Sequence, residues 1–238
     1  AQANISLVRE ALKERGLLEK NAPHLVQNRT FLIPNYTWWE GPYYTLGLKT
    51  YDYLAGSLSL GASKHVSKKE TLRKLKSIKK DKLKGSVSYQ DGQFDDSRLA
   101  VNMAQTAIEK GAVLLNYFKV NNLTKDNNNK VNGVEATDAE TDQKYTFKGK
   151  AVINATGVFA DDILQMDKPG SKKRIQPSQG VHLVFDRSFF PGEDAMMIPK
   201  TSDGRVLFAV PWHDKVIVGT TDVQVDNHDA EPKAKEEE

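Results

Sequence analysis

The 238-residue chain contains no cysteine. That excludes disulfides, thiolate metal ligands and a cysteine nucleophile. It suits a reducing compartment, and the cytoplasm is the expected location. No run of about 18 apolar residues occurs, the length a membrane-crossing helix requires. The opening AQANISLVREALKERG reads as an amphipathic helix rather than a signal peptide. The net charge of +3 is too slight to name a partner. GxGxxG, GxxxxGK[ST] and GxSxG are all missing, so the phosphate-binding half of a dinucleotide site is not encoded. There is no HExxH. None of the five histidines (His24, His65, His182, His213, His228) pairs with another at metal-ligand spacing, and no metal is expected.

What is present suits a folded domain: 39% hydrophobic and 27% charged residues support a core in one large domain or two small ones. The chain begins inside a helical pattern, with Ile5, Val8 and Leu12 on one face. It ends on DAEPKAKEEE, where Pro232 suits a first helical turn. The expectation is a middle piece of a longer protein.

Three parts follow from the patterning. Residues 1–92 read as mainly helical. Their aromatic segment NYTWWEGPYYTLGLKTYDYLAG either packs one helix on another, the favoured reading, or lines a ligand cavity. The lysine-rich stretch 63–84 reads as one solvated helix with an apolar stripe at Leu72, Leu75 and Ile78. A membrane-surface role suits it better than nucleic acid, because no aromatics are interleaved to stack on bases.

Residues 93–167 read as a compact α/β unit. DDSRLAVNMAQTAIEKG is a capped helix with Leu99, Met103, Ala107 and Ile108 inward and Gly111 at its stop. AVLLNYFKV is a strand, GVEATDAE and KYTFKGK pair across the turn TDQ, and AVINATG is a buried strand ending in small residues. Such a turn admits a flat ligand. Residues 168–238 read as an antiparallel meander of VHLVFD, AMMIPK, RVLFAVP and KVIVGTTDV. His182, at the start of a strand, is either a general base facing a cavity or a hydrogen-bonded structural residue. The hydroxyls and carboxylate of GTTD, Gly219 to Asp222, contact a ligand or form a local turn.

Taken together, LVREALKERGLLEKNAPHLV, YQDGQFDDSRLAVNMAQTAIEKGA, AVINATGVFADDI, SQGVHLVF and LFAVPWHDKVIVGTTDV resemble, in order, segments of the flavin-dependent glycerol-3-phosphate dehydrogenases and glycerophosphate oxidases. The resemblance implies an α/β (α+β) fold of D-amino-acid-oxidase type. Part of an FAD-binding Rossmann-like domain is interleaved with a substrate domain of antiparallel sheet and helices. It implies oxidation of sn-glycerol 3-phosphate to dihydroxyacetone phosphate, hydride passing to FAD and electrons to a quinone or oxygen, with peripheral membrane association and no nucleic acid.

Carried onto this chain, His182 matches the active-site histidine. Ala155, Thr156 and Gly157 match the turn beside FAD, and Val120 the position whose backbone meets the adenine. Thr221 and Asp222 lie near the substrate; Arg205 is either in that region or a surface charge. The family's GxGxxG and phosphate-binding arginine segments are absent here, so the chain alone is expected to hold FAD weakly or not at all and to be inactive. Two other readings stand beside this one: a related flavoenzyme acting on an amine, and a basic module for anionic lipid or nucleic acid.

Overall fold

A computed structural model describes residues 5–201, 204–219, 221–226 and 231–236. Along the chain run α1 (Ile5–Asn21), β1 (Val26–Asn35), α2 (Glu40–Ala55), β2 (Lys64–Ser67), α3 (Lys68–Lys74), β3 (Gly85–Phe94) and α4 (Asp96–Glu109). Then come β4 (Phe118–Lys125), β5 (Val131–Asp138), β6 (Lys144–Lys148), α5 (Ala160–Asp167), β7 (Ser178–Gln179) and β8 (Leu183–Asp186). The last strands are β9 (Ala195–Ile198), β10 (Leu207–Trp212), β11 (Lys215–Gly219) and β12 (Val223–Gln224). The chain divides into two regions, residues 1–103 with 181–221, and residues 104–180 with 222–238. The sequence reading had set its breaks at 92/93 and 167/168.

The first region is organised by a seven-stranded sheet in the order β2-β3-β1-β9-β10-β11-β8. The expected antiparallel strands are there, β9-β10-β11 as a meander and β8 beside β11. β1 joins them to β3 and β2: it pairs antiparallel with β3 along ten residues and parallel with β9 at Phe31 and Leu32. A mainly helical start is therefore wrong for Val26–Asn35 and Gly85–Phe94. Pro34 of β1 lies beyond the short β9 ladder, so its missing N–H spoils no β9 pairing.

Alternation along the strands gives the sheet two apolar faces. On one, Phe31, Ile33, Tyr89, Phe208 and Val210 pack against Tyr44 and Leu48 of α2. On the other, Leu32, Ala209 and Val216 pack against Val66, Leu75 and Phe190. The aromatic segment thus packs only in part, since Trp38 is 82% and Tyr53 84% exposed.

The lysine-rich stretch is not one helix. It is β2, a seven-residue α3 capped by the Ser67 side chain, and a loop with turns whose Leu75 and Leu83 are buried. Helical spacing of Leu72, Leu75 and Ile78 arises from a short helix followed by loop.

The second region holds a three-stranded antiparallel sheet, β4-β5-β6, a small β7-β12 pair and α5. Lys125 of β4 reaches Asp167 of α5 at 3.0 Å. Three expectations change here. AVLLNYFKV enters a strand only at Phe118, AVINATG forms none, and the inward face of α4 is largely exposed, Met103 by 64% and Ile108 by 56%. Val113 and Ile153 are each 85% exposed. A strand needs a ladder partner for its N–H and C=O groups, and among the described residues these runs have none. The α4 boundaries agree with the reading: the Asp95 carboxylate accepts the Arg98 N–H at 3.0 Å, and Gly111 takes φ +90°. Residues 231–236 form no helix, and His228 and Thr220 lie outside the described residues.

Candidate functional site

His182 immediately precedes β8, on the edge of the first region's sheet, and its side chain is exposed. β8 pairs with β11 through Leu183↔Val218, which sets His182 opposite Gly219. A Cβ on Gly219 would stand 2.6 Å from His182 Cδ2 and 3.0 Å from the Val181 carbonyl oxygen. Only glycine lets the imidazole lie this close against the β11 backbone. One residue earlier, the Val181 N–H donates to Thr221 Oγ1 at 2.8 Å. Thr221 thus holds the backbone that carries His182, a concrete job for one of the GTTD hydroxyls.

The imidazole borders a pocket of about 320 Å³ lined by Phe31, Asp91, Gly92, Phe208, Val210, Ile217 and Gly219. Aromatic and aliphatic side chains from β1, β10 and β11 make its wall, and Asp91 of β3 supplies the charge. That carboxylate accepts from the Gly92 N–H at 2.8 Å and pairs with Arg15 Nη1 at 3.0 Å. Arg15 in turn lies over the Tyr51 ring, 5.4 Å from its centroid. Burial, with Asp91 adding to it, pushes the Tyr51 and Tyr89 hydroxyls above their ordinary value, so both stay protonated donors at neutral pH. The Tyr89 hydroxyl lies 3.5 Å from the Met197 sulfur.

Arg205 is half-buried rather than a simple surface charge, and it is not on this wall. Its carbonyl closes a turn by accepting from the Thr201 N–H at 2.8 Å.

In the second region Ala155, Thr156 and Gly157 are exposed and form a tight turn at the head of α5. The Asn154 carboxamide builds it: Oδ1 accepts from Thr156 Oγ1 at 2.8 Å, and Nδ2 donates to the Ala160 carbonyl at 2.9 Å. Gly157 takes φ +58°, and nothing stands within 4 Å of where a Cβ would be. The turn needs glycine for its backbone angle and is open above.

Val120 is the third residue of β4, paired with Ala136, at a bulge before Asn122. Asp222 is exposed ahead of β12, which pairs with β7, while the run LFAVPWHDKVIVG before it forms the β10–β11 hairpin. Beyond the turn, Asp161 is 7% exposed; its Oδ2 accepts the N–H groups of Arg174 and Ile175 at 2.8 and 3.0 Å. These residues line a second pocket of about 360 Å³ with Val158 and Lys173.

The structure therefore joins His182 to Thr221 and keeps Ala155–Gly157 as one turn. The turn and Val120 belong to the second region, His182 to the first. Phe31, Asp91 and Phe208 were missed as partners of His182, because no local spacing connects positions so far apart in sequence.

Residues 1–238 match the protein family described as FAD dependent oxidoreductase, and the chain belongs to that family. Among curated relatives, it is 40% identical over 247 residues to the mitochondrial glycerol-3-phosphate dehydrogenase of Schizosaccharomyces pombe, covering 100% of this chain and 38% of that protein. To the mitochondrial glycerol-3-phosphate dehydrogenase of Homo sapiens it is 40% identical over 225 residues, covering 92% and 31%. The chain thus spans roughly a third of the length of these relatives. Among solved structures, the glycerol-3-phosphate dehydrogenase of Bacillus halodurans complexed with FAD superposes with a TM-score of 0.78 at 34% identity, covering 97% of this chain and 41% of that one. The L-alpha-glycerophosphate oxidase of Mycoplasma pneumoniae, at 20% identity and TM-score 0.69 over 92% of this chain and 58% of that one, shares the fold.

Proposed function

We propose that the protein oxidises sn-glycerol 3-phosphate to dihydroxyacetone phosphate, with FAD as cofactor. What most supports this is the 40% identity along the full chain to a glycerol-3-phosphate dehydrogenase, in a member of the FAD-dependent oxidoreductases. An amine substrate draws only on the shared fold.

His182 takes the proton of the C2 hydroxyl on a ring nitrogen, or orients that hydroxyl by a hydrogen bond. Gly219 and Thr221 fix where the imidazole stands, and Phe31, Phe208 and Ile217 give the pocket beside it an apolar wall. FAD, when bound, accepts the hydride. The residues of the second region suit a flat cofactor: Ala155 and Thr156 are small, and the space above Gly157 is open. Val120 is assigned to the adenine end by the family resemblance alone. The electron acceptor in this reading would be a quinone or oxygen. Peripheral membrane association belongs to this reading; among the described residues no helix is long and apolar enough to cross a membrane.

The test is glycerol 3-phosphate oxidation by the protein as its gene encodes it, assayed with a quinone analogue under nitrogen and with oxygen alone. His182→Ala is expected to lower turnover by about a hundredfold or more, while the flavin retained per chain stays constant. Unchanged turnover removes His182 from the mechanism.

A further inference from the structure

Two side chains on the wall of the His182 pocket are polar, the imidazole itself and the Asp91 carboxylate; the others are apolar or glycine. The proposed reaction gives the imidazole a partner, the C2 hydroxyl. No step of it uses Asp91.

The two oxygens of that carboxylate have different surroundings. Oδ1 accepts twice, from Arg15 Nη1 at 3.0 Å and from the Gly92 N–H at 2.8 Å. Oδ2 has no hydrogen-bond partner among the described residues. It is not a buried orphan either. The Asp91 side chain is 34% exposed, and the unpaired atom hidden in this corner is Arg15 Nε. A carboxylate has about four acceptor positions over its two oxygens, so half of that capacity stays open.

Arg15 fixes the group in place. Its side chain is 14% exposed, donates also to the Gln90 carbonyl at 3.4 Å, and lies over the Tyr51 ring. Arginine and carboxylate bind most strongly as a two-pronged pair; here one prong is given up. An acceptor already held this way loses little freedom when a ligand meets it.

The free oxygen discriminates among the parts of the substrate. It takes a hydrogen-bond donor and repels an anion, and the apolar wall strengthens the repulsion. Phosphate is therefore turned away, and the C2 hydroxyl already belongs to His182. The C1 hydroxyl remains. At about 320 Å³ the pocket lies at the small end of ligand sites, about 300–1,000 Å³, so one triose phosphate filling it borders both polar groups.

We propose that Asp91 is the specificity determinant for the hydroxymethyl end of the substrate: Oδ2 accepts the C1 hydroxyl, and the charge directs the phosphate away. This rests on the glycerol 3-phosphate reading above.

The experiment uses the protein as its gene encodes it. It compares kcat/KM for sn-glycerol 3-phosphate with that for propane-1,2-diol 1-phosphate of the same carbinol configuration, which lacks only the C1 hydroxyl. Wild type is expected to prefer glycerol 3-phosphate by about a hundredfold, the effect of one hydrogen bond to a charged group. Asp91→Asn keeps the shape and should cut the preference to about tenfold. That variant strands the Arg15 charge, so the double variant Arg15→Leu/Asp91→Leu is measured beside it. Removing both charges leaves neither unpaired, and the preference should fall to about threefold or less.

A purely structural role for Asp91 lowers turnover on both substrates alike and leaves the ratio as it was; that result overturns the inference alone. So does a wild-type preference below about threefold, which needs no variant to fold. Failure of wild type to oxidise glycerol 3-phosphate at all overturns the reading beneath it, and the inference with it.

Discussion

In the first region the run Phe31-Leu32-Ile33 has strands on both edges of β1 and side chains packed on both faces. In the second, the runs beginning at Val113 and Ala151 are as apolar, yet they lie outside any ladder, with Val113 and Ile153 85% exposed. Buried hydrophobics follow suit: among the described residues the second region has only Ala136 and Val225. Polar ties hold it instead, with Asn154 building the turn, Lys125 reaching Asp167, and Asp161 gathering two backbone N–H groups. Apolar character makes a segment eligible for a core. Only a partner segment uses it.

The contrast predicts that the two regions break by different means. The largest effect belongs to a cavity in the first. Leu32 is fully buried between Val66, Leu75, Phe190, Ala209 and Val216. Leu32→Ala is expected to cost about 3 kcal/mol, a large share of the roughly 5–15 kcal/mol typical of a domain. Denaturant titration monitored by tryptophan fluorescence measures it. A loss below about 1 kcal/mol would mean that the sheet core is looser than its burial states.

The second region should answer to acid. The Ile175 N–H, then the Arg174 N–H and the Lys173 and Arg174 charges, hold the Asp161 carboxyl below its ordinary value of 3.8. A carboxylate whose folded pKa is lowered stabilises the fold fully above its unfolded pKa, and that contribution fades as pH falls through the folded value. Asp161→Asn is therefore expected to melt below wild type at neutral pH, by less than the Leu32 variant. The gap should close as pH drops below about 4. Thermal melts across that range test it, and a gap that does not change with pH would show that charge plays no part in the tie.

How much of this was legible from sequence depends on whether the signal is local. The caps of α4 and the strands β8 to β11 were readable, because each carries its own start, stop or alternation. β1 was not: it is covered on both faces, so its apolar residues do not alternate. The 63–84 stretch misled because Leu72, Leu75 and Ile78 keep helical spacing through a helix that ends at Lys74. At the site, residue patterns left His182 open between base and structural residue, and family resemblance singled it out. Its neighbours Phe31, Asp91 and Phe208 meet it only through sheet register, which no short window contains.

The smallest expected effect is the one that most sharpens the contrast. Ile153 is apolar and was read as the middle of a buried strand, yet it is 85% exposed and outside every ladder. Ile153→Ser in this chain should change stability by no more than about 0.5 kcal/mol, the range of ordinary surface substitutions. The side chain removes little surface from water here, so its loss forfeits little of the roughly 25 cal/mol per Å² that burial provides. Paired denaturant titrations of wild type and variant resolve a difference of that size when the slopes agree. A loss above about 1 kcal/mol, or a changed slope, would place Ile153 in a packed environment and end the distinction between apolar runs that are used and those that are not.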